Sequence, residues 1–246
     1  RISGETFREP LKAAGADVLA QTSDACLLNA RETGQVRLRI QTPGGLTAPP
    51  LLLGGEGGGR LVLPYRNRLT CVRLADGKVL WEAKSGPTSR LSATTTGAVL
   101  AAGEHDLAVL NAATGDLAWS LAFSGMSLAD LSVEEDTAYL GMTAAPGTEG
   151  GDQLLAVSLK EGGKGEVLWK APLDAEASCR RPLKIGRLVA VDAGRDPSDP
   201  RGGTNAIRFL DAKTGRREGS LMLSWNRGRV RALRRAGPLL ILEPSS

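Results

Sequence analysis

Aromatic side chains make up only 4% of the 246 residues, with four Trp, two Tyr and three Phe. A core must therefore be built from Leu, Val and Ala. Histidine is scarcer still. With His105 alone, any Ser-His-Asp or Cys-His mechanism and any imidazole-based metal site would have to use that one ring. Its setting, Gly103-Glu-His-Asp106, predicts an exposed turn. The three cysteines, Cys26, Cys71 and Cys179, are odd in number and too far apart for a zinc motif or a disulfide framework. They read as small buried apolar side chains. No apolar run approaches the roughly 20 residues needed to cross a bilayer; Pro238-Leu-Leu-Ile-Leu242 has the length of a buried strand. Thirty-one Lys and Arg oppose 27 Asp and Glu for a net charge of +4. That small excess does not by itself imply a polyanionic partner.

What the chain does have is glycine, and it recurs. Leu69-Thr-Cys-Val-Arg-Leu-Ala-Asp-Gly-Lys-Val-Leu-Trp81 lies over Leu107-Ala-Val-Leu-Asn-Ala-Ala-Thr-Gly-Asp-Leu-Ala-Trp119 without a gap. Leu155-Ala-Val-Ser-Leu159 followed by Glu166-Val-Leu-Trp169 repeats the form. Ile207–Gly215 and Leu27–Gly34 repeat its first half. The shared unit is an apolar strand, a tight turn ending in Gly, and a second strand with Trp four residues after that Gly. Glycine supplies the positive φ that a short hairpin demands, and the preceding Asp or Thr can bond its own turn. The turn glycines Gly34, Gly77, Gly115, Gly165 and Gly215 are 43, 38, 50 and 50 residues apart, near the repeat of a four-stranded propeller blade. Another apolar strand precedes each hairpin, such as Arg60–Leu63 or Thr137–Leu140, and a further short one precedes most of these. The expected fold is an all-β propeller over 1–246 as a single domain, with five clear four-stranded blades plus a partial or composite sixth.

The unit Leu-x-Val-Leu-Asn-Ala-Ala-Thr-Gly-Asp-Leu-Ala-Trp resembles the PQQ-like propeller repeat. The motif is specific at Gly77/Trp81, Gly115/Trp119 and Gly165/Trp169. It is degraded in the first repeat, where Leu38 takes the Trp position, and in the last, where Gly219 does. The resemblance implies one of two classes. Quinoprotein dehydrogenases use a vicinal Cys-Cys pair, a calcium ion and a catalytic Asp; here no two cysteines are adjacent and five blades are recognisable rather than eight. Non-catalytic members, among them the lipoprotein of the outer-membrane assembly machine, use the disc as a docking platform. The expectation is the second class: no enzyme activity, no cofactor, and a protein partner within a larger assembly, with a propeller sensor or nucleic-acid-contacting domain of a larger regulatory protein as the alternative. A bacterial periplasm or cell envelope and a cytoplasm both remain open. The start at Arg1, without a leader, fits a processed chain and a piece of a longer one equally.

Other constellations are weaker. Gly54–Gly59 ends in a strand rather than a helix and lacks Lys-Ser/Thr, so it reads as a connection and not a phosphate loop. Asp192, Asp196 and Asp199 could offer calcium oxygen ligands, but without EF-hand spacing and among prolines. Two extensions, 144–152 and 194–203, fall between the second and third strands of consecutive blades, where repeat folds often build a binding face. They nominate Glu149, Asp152, Arg195, Asp196 and Arg201 as partner-binding residues. Trp225–Arg235 carries five arginines in eleven residues and adds Arg227, Arg229 and Arg231. Solvated strand, acidic protein surface and nucleic acid all suit that run; no aromatic series accompanies it for base stacking. The C-terminal strands and Ser3–Phe7 are expected to share a last blade.

Overall fold

The computed structural model describes residues 12–14, 17–54, 59–145, 151–160, 164–173, 180–195, 205–223, 230–236 and 239–244. For 12–14, 180–181, 193–195, 205, 223, 230–236 and 239–244 only the backbone path is described. Every regular element among them is a strand.

The first sheet holds β1 (Lys12–Ala14), β2 (Asp17–Gln21), β3 (Ala25–Ala30) and β4 (Val36–Gln41). The second holds β5 (Leu51–Leu53), β6 (Arg60–Pro64), β7 (Arg68–Arg73) and β8 (Val79–Lys84). The third is β9 (Arg90–Ala93), β10 (Ala98–Ala102), β11 (Asp106–Asn111) and β12 (Leu117–Ala122). The fourth is β13 (Met126–Glu134), β14 (Thr137–Ala144), β15 (Gln153–Ser158) and β16 (Val167–Pro172), and the fifth β17 (Arg180–Ile185), β18 (Leu188–Arg195), β19 (Asn205–Asp211) and β20 (Arg217–Leu223). Each is an antiparallel meander in strand order, and β21 (Val230–Ala236) with β22 (Leu239–Pro244) makes a two-stranded sixth sheet. By internal contacts the chain falls into two compact units, 1–93 with 97–103 and 108–118, and 94–96 with 104–107 and 119–246.

The middle strands are buried on both faces, which is why they read as unbroken apolar runs. Leu61, Val62 and Leu63 are all within 1% of full burial. In the first unit, Leu19 and Cys26 of the first sheet pack with Leu61, Leu63 and Val72 of the second. The opposite face of the second sheet (Val62, Leu69, Cys71, Trp81) packs with Val99, Ala101 and Leu110 of the third. In the second unit Tyr139, Leu154 and Trp169 of the fourth sheet pack with Val189, Val191 and Leu210 of the fifth.

The hairpin joining the third and fourth strands is built alike in four of the sheets. Gly77 N–H donates to Arg73 C=O (2.8 Å) and Arg73 N–H to Lys78 C=O (2.9 Å); the pairs Gly34/Ala30, Gly115/Asn111 and Gly215/Asp211 match it. The turn glycine sits at φ near +70°, and the register slips there by one residue, between Cys71 and Val72 for example. This is a tight turn closed by a glycine bulge. Short polar side chains hold it: Asp211 Oδ1 accepts from the N–H groups of Lys213 and Thr214, and Asn111 Oδ1 from those of Ala113 and Thr114.

Four of the five turn glycines then receive the side chain expected from the repeat. A Cβ on Gly115 would stand 2.6 Å from Trp81, one on Gly165 2.6 Å from Trp119, and one on Gly215 2.5 Å from Trp169. Gly77 faces Leu38 at 3.2 Å, while Gly34 and Gly219 have nothing within 4 Å. The predicted stand-in of Leu38 for Trp is therefore visible in the packing around Gly77.

Two expectations follow. Gly34→Ala meets only the left-handed backbone cost, on the order of 1–2 kcal/mol. Gly115→Ala, Gly165→Ala and Gly215→Ala also drive a methyl into an indole, adding about 1–3 kcal/mol; urea-unfolding midpoints should rank accordingly. Burial pushes the Cys26 thiol up to about 12 and the Cys71 thiol to about 11 from 9.0, the latter opposed by Arg60. Both thiols should resist alkylation at neutral pH until the protein unfolds, as peptide mapping would show. Since the unfolded chain ionises them first, stability should be flat below pH 9 and fall as pH rises from there toward 12.

Candidate protein-binding site

The nominated residues fare unequally. Asp152 is described, and its carboxylate is turned inward: Oδ1 accepts from Ala144 N–H (3.0 Å), while its carbonyl accepts from Leu173 N–H (2.7 Å). It closes the base of the first extension. Arg195 ends β18 and Arg231 lies in β21, with the backbone path alone described for both. Glu149, Asp196, Arg201, Arg227 and Arg229 lie outside the described residues, as do Cys179, Asp199 and Ser3–Phe7. The two extensions do join the second and third strands of consecutive sheets, so they leave the same end of those sheets. His105 is exposed, with Nδ1 2.9 Å from Met126 C=O, so that nitrogen carries the proton. Asp192 is buried. Among the described residues no three His, Cys, Asp or Glu side chains gather as a metal-ligand group, and no helix is long and apolar enough to cross a membrane.

A site absent from the sequence reading lies at the other end of the strands, where the fourth and fifth sheets meet. The equivalent junction of the second and third sheets shows how it arises. There Trp81 Nε1 donates to Ala112 C=O (3.0 Å), and Arg60 Nη1 crosses from β6 to the same carbonyl (2.8 Å). Arg73, beside Arg60 in the ladder, closes its own turn through Asp76 at 2.7 and 3.0 Å. Those bonds, with the Lys78 N–H, hold the Asp76 carboxyl down at about 2. Arginine fills the gap.

The fourth sheet repeats the frame without the arginines. Trp169 Nε1 donates to Ala212 C=O at 3.0 Å, as Trp81 does to Ala112. The register places Thr137 where Arg60 stands and Ser158 where Arg73 stands, because Leu61 pairs with Val72 and Ala138 with Val157. Two long side chains become two short ones, and an open cleft of about 770 Å³ results. Its least exposed wall is Thr137, Tyr139, Ser158 and Ala212. Tyr139 is buried against Trp169, ring centroids 6.0 Å apart at 43°. Around the mouth stand the carboxylates of Glu135, Asp136, Glu166 and Asp211 and the cations of Lys160, Lys184, Arg187 and Lys213. Lys184 Nζ bonds Glu135 Oε2 at 3.0 Å across the two sheets. Glu135 holds φ +53°, the one positive value at a non-glycine among the described residues. Leu168, 47% exposed, borders the cleft from β16, whose outer edge has no partner strand among the described residues.

Residues 65–164 match the family model described as outer membrane protein assembly factor BamB. The structure of BamB from Moraxella catarrhalis superposes with a TM-score of 0.70 over 98% of this chain and 71% of that one, at 12% identity. The chain is a β-propeller, and its residues 65–164 resemble the PQQ-like repeats of the outer-membrane assembly factor. The C-terminal WD40 domain of Sif2 gives 0.65 over 91% of this chain and 62% of that domain, and the Neurospora crassa Pan2 WD40 domain 0.64 over 94% and 69%, both at 15% identity. Among curated proteins, none matches the sequence. The sheets of this propeller are its blades, and the cleft lies between blades four and five.

Removing the indole N–H separates the two junctions. Trp81→Phe leaves Ala112 C=O bonded to Arg60, whereas Trp169→Phe strips Ala212 C=O of its bond. Beyond the shared loss of ring area, Trp169→Phe should cost about 1 kcal/mol more in chemical denaturation.

Proposed function

We propose that this propeller is a non-enzymatic scaffold that binds a protein partner within a larger assembly. The observation that carries the reading is the cleft between blades four and five opening beside the free edge of β16. An extended segment can add to that edge through its backbone while its side chains enter the recess, a recurrent mode of peptide recognition. Exposed apolar side chains on the fourth strand of every blade, from Val36 through Leu117 (61% exposed) to Met222, favour a polypeptide neighbour over a small solute. The likeness to BamB supports the same conclusion. Within it, we assign Glu149, Arg195, Asp196, Arg201, Arg227, Arg229 and Arg231 to a second contact area, while the Asp152 carboxylate is taken up by its own loop. An acidic protein surface suits those arginines better than nucleic acid, since no aromatic series accompanies them.

Photo-crosslinkers placed singly at Leu168 and Arg229 in the native host test this. A protein adduct from Leu168 that persists in high salt is expected, as for an interface with an apolar centre. Adducts that form only in low salt, contain nucleic acid, or disappear when Arg227, Arg229 and Arg231 become Ala would make the molecule a polyanion binder instead. Turnover of an alcohol after reconstitution with quinone and calcium would overturn the non-enzymatic reading.

A further inference from the structure

We infer that the cleft between blades four and five receives the guanidinium of an arginine on the partner protein, in the place that Arg60 occupies between blades two and three. The inference rests on the scaffold reading and names the chemistry of its contact.

The protein supplies its own template. At the filled junction one carbonyl, Ala112, accepts two donors, an indole N–H and a guanidinium N–H. At the open one, Ala212 accepts the indole alone among the described residues. A carbonyl oxygen has two lone pairs, and Ala212 lines the cleft. Thr137, Ser158 and Tyr139 add hydroxyl oxygens along the same wall, so the recess offers acceptors to a multidentate donor. Arginine presents five N–H groups in a planar fork and, being weakly hydrated, is the cation that tolerates such desolvation best.

Charge favours a cation over an anion. Of the mouth residues, Lys184 is already engaged by Glu135, whereas the carboxylates of Asp136 and Glu166 have no ion-pair partner among the described residues. The field deeper in is negative as well. The Tyr139 hydroxyl is pushed up to about 12, first by burial and then by Glu135, Glu134 and Asp211. Lys160, Arg187 and Lys213 are exposed at the rim, as is Glu166, and water screens all four, whereas the half-buried Asp136 and Asp211 are screened less.

The test uses the whole chain and a blocked arginine, N-acetyl-arginine amide, as probe. Indole N–H resonances report directly, because that of Trp169 shares the Ala212 oxygen with the incoming donor; Trp169→Phe assigns the peak. The Trp169 signal should move on titration, and the neutral isostere N-acetyl-citrulline amide should bind about tenfold more weakly. Thr137→Arg, which restores the internal guanidinium, should abolish the shift. Asp136→Asn with Glu166→Gln, both outside the core, should weaken it about three- to tenfold even if Thr137→Arg fails to fold. Equal binding of citrulline amide, a shift that survives in folded Thr137→Arg, or no movement of Trp169 in folded protein overturns the inference. Tighter binding of free arginine than of the blocked form overturns the protein source, pointing to a small metabolite. A Leu168 crosslink to a protein alongside a silent Trp169 sinks the arginine contact and leaves the scaffold standing; a silent Leu168 with a responsive Trp169 does the reverse.

Discussion

The architecture depends on a flat ring laid on a residue that has no side chain. Three indoles and one leucine each rest on the turn glycine of the next blade, the indoles at distances that no Cβ could share and the leucine at one that would crowd it. Two requirements meet at that glycine. The bulged hairpin needs a left-handed backbone, and the neighbouring indole needs the space. Satisfying both with one residue ties the local geometry of a turn to the stacking of whole sheets. The indole N–H extends the tie through the Ala112 and Ala212 carbonyls, so orientation is fixed along with contact. With aromatics so few, three of the four Trp serve this one purpose.

Much of this was legible in the chain. The spacing of Gly77 to Trp81 and of Gly115 to Trp119 is local, and local rules write it: turn chemistry, alternation, a fixed offset. Even Leu38 and Gly219 could be assigned as stand-ins by position alone, and the packing around Gly77 agrees. The paired extensions were also readable, because insertions interrupt a repeat. Asp152 shows where such reading stops. A charged residue in an extended loop looks available to a partner, yet its carboxylate is used by the backbone of its own loop.

The cleft was not legible, for a definite reason. It is made by what is missing at two positions, Thr137 and Ser158, which are unremarkable residues in a strand. Their meaning appears only when the register aligns them with Arg60 and Arg73 and the filled junction stands beside the open one. The lining is drawn from four separate turns and the strand ends beside them; two of these belong to the repeat, but nothing in the repeat marks a gap. A repeat protein makes such a comparison possible, since its own copies serve as controls. The conserved frame, Trp on Gly with an alanine carbonyl behind, shows that the two junctions differ in side-chain filling and not in backbone design.

The direction of the stacking has its own consequence. Every central blade both gives a ring from its fourth strand and offers a bare turn to the blade before it, as a zip tooth carries both hook and slot. A segment cut anywhere between two such turns and copied in tandem carries one of each, so the copy docks on its parent without a compensating change. Blades two, three and four are interchangeable units in this sense. Blade one brings only a leucine and blade five only Gly219 to that contact, so among the described blades only two, three and four carry both the ring and the bare turn.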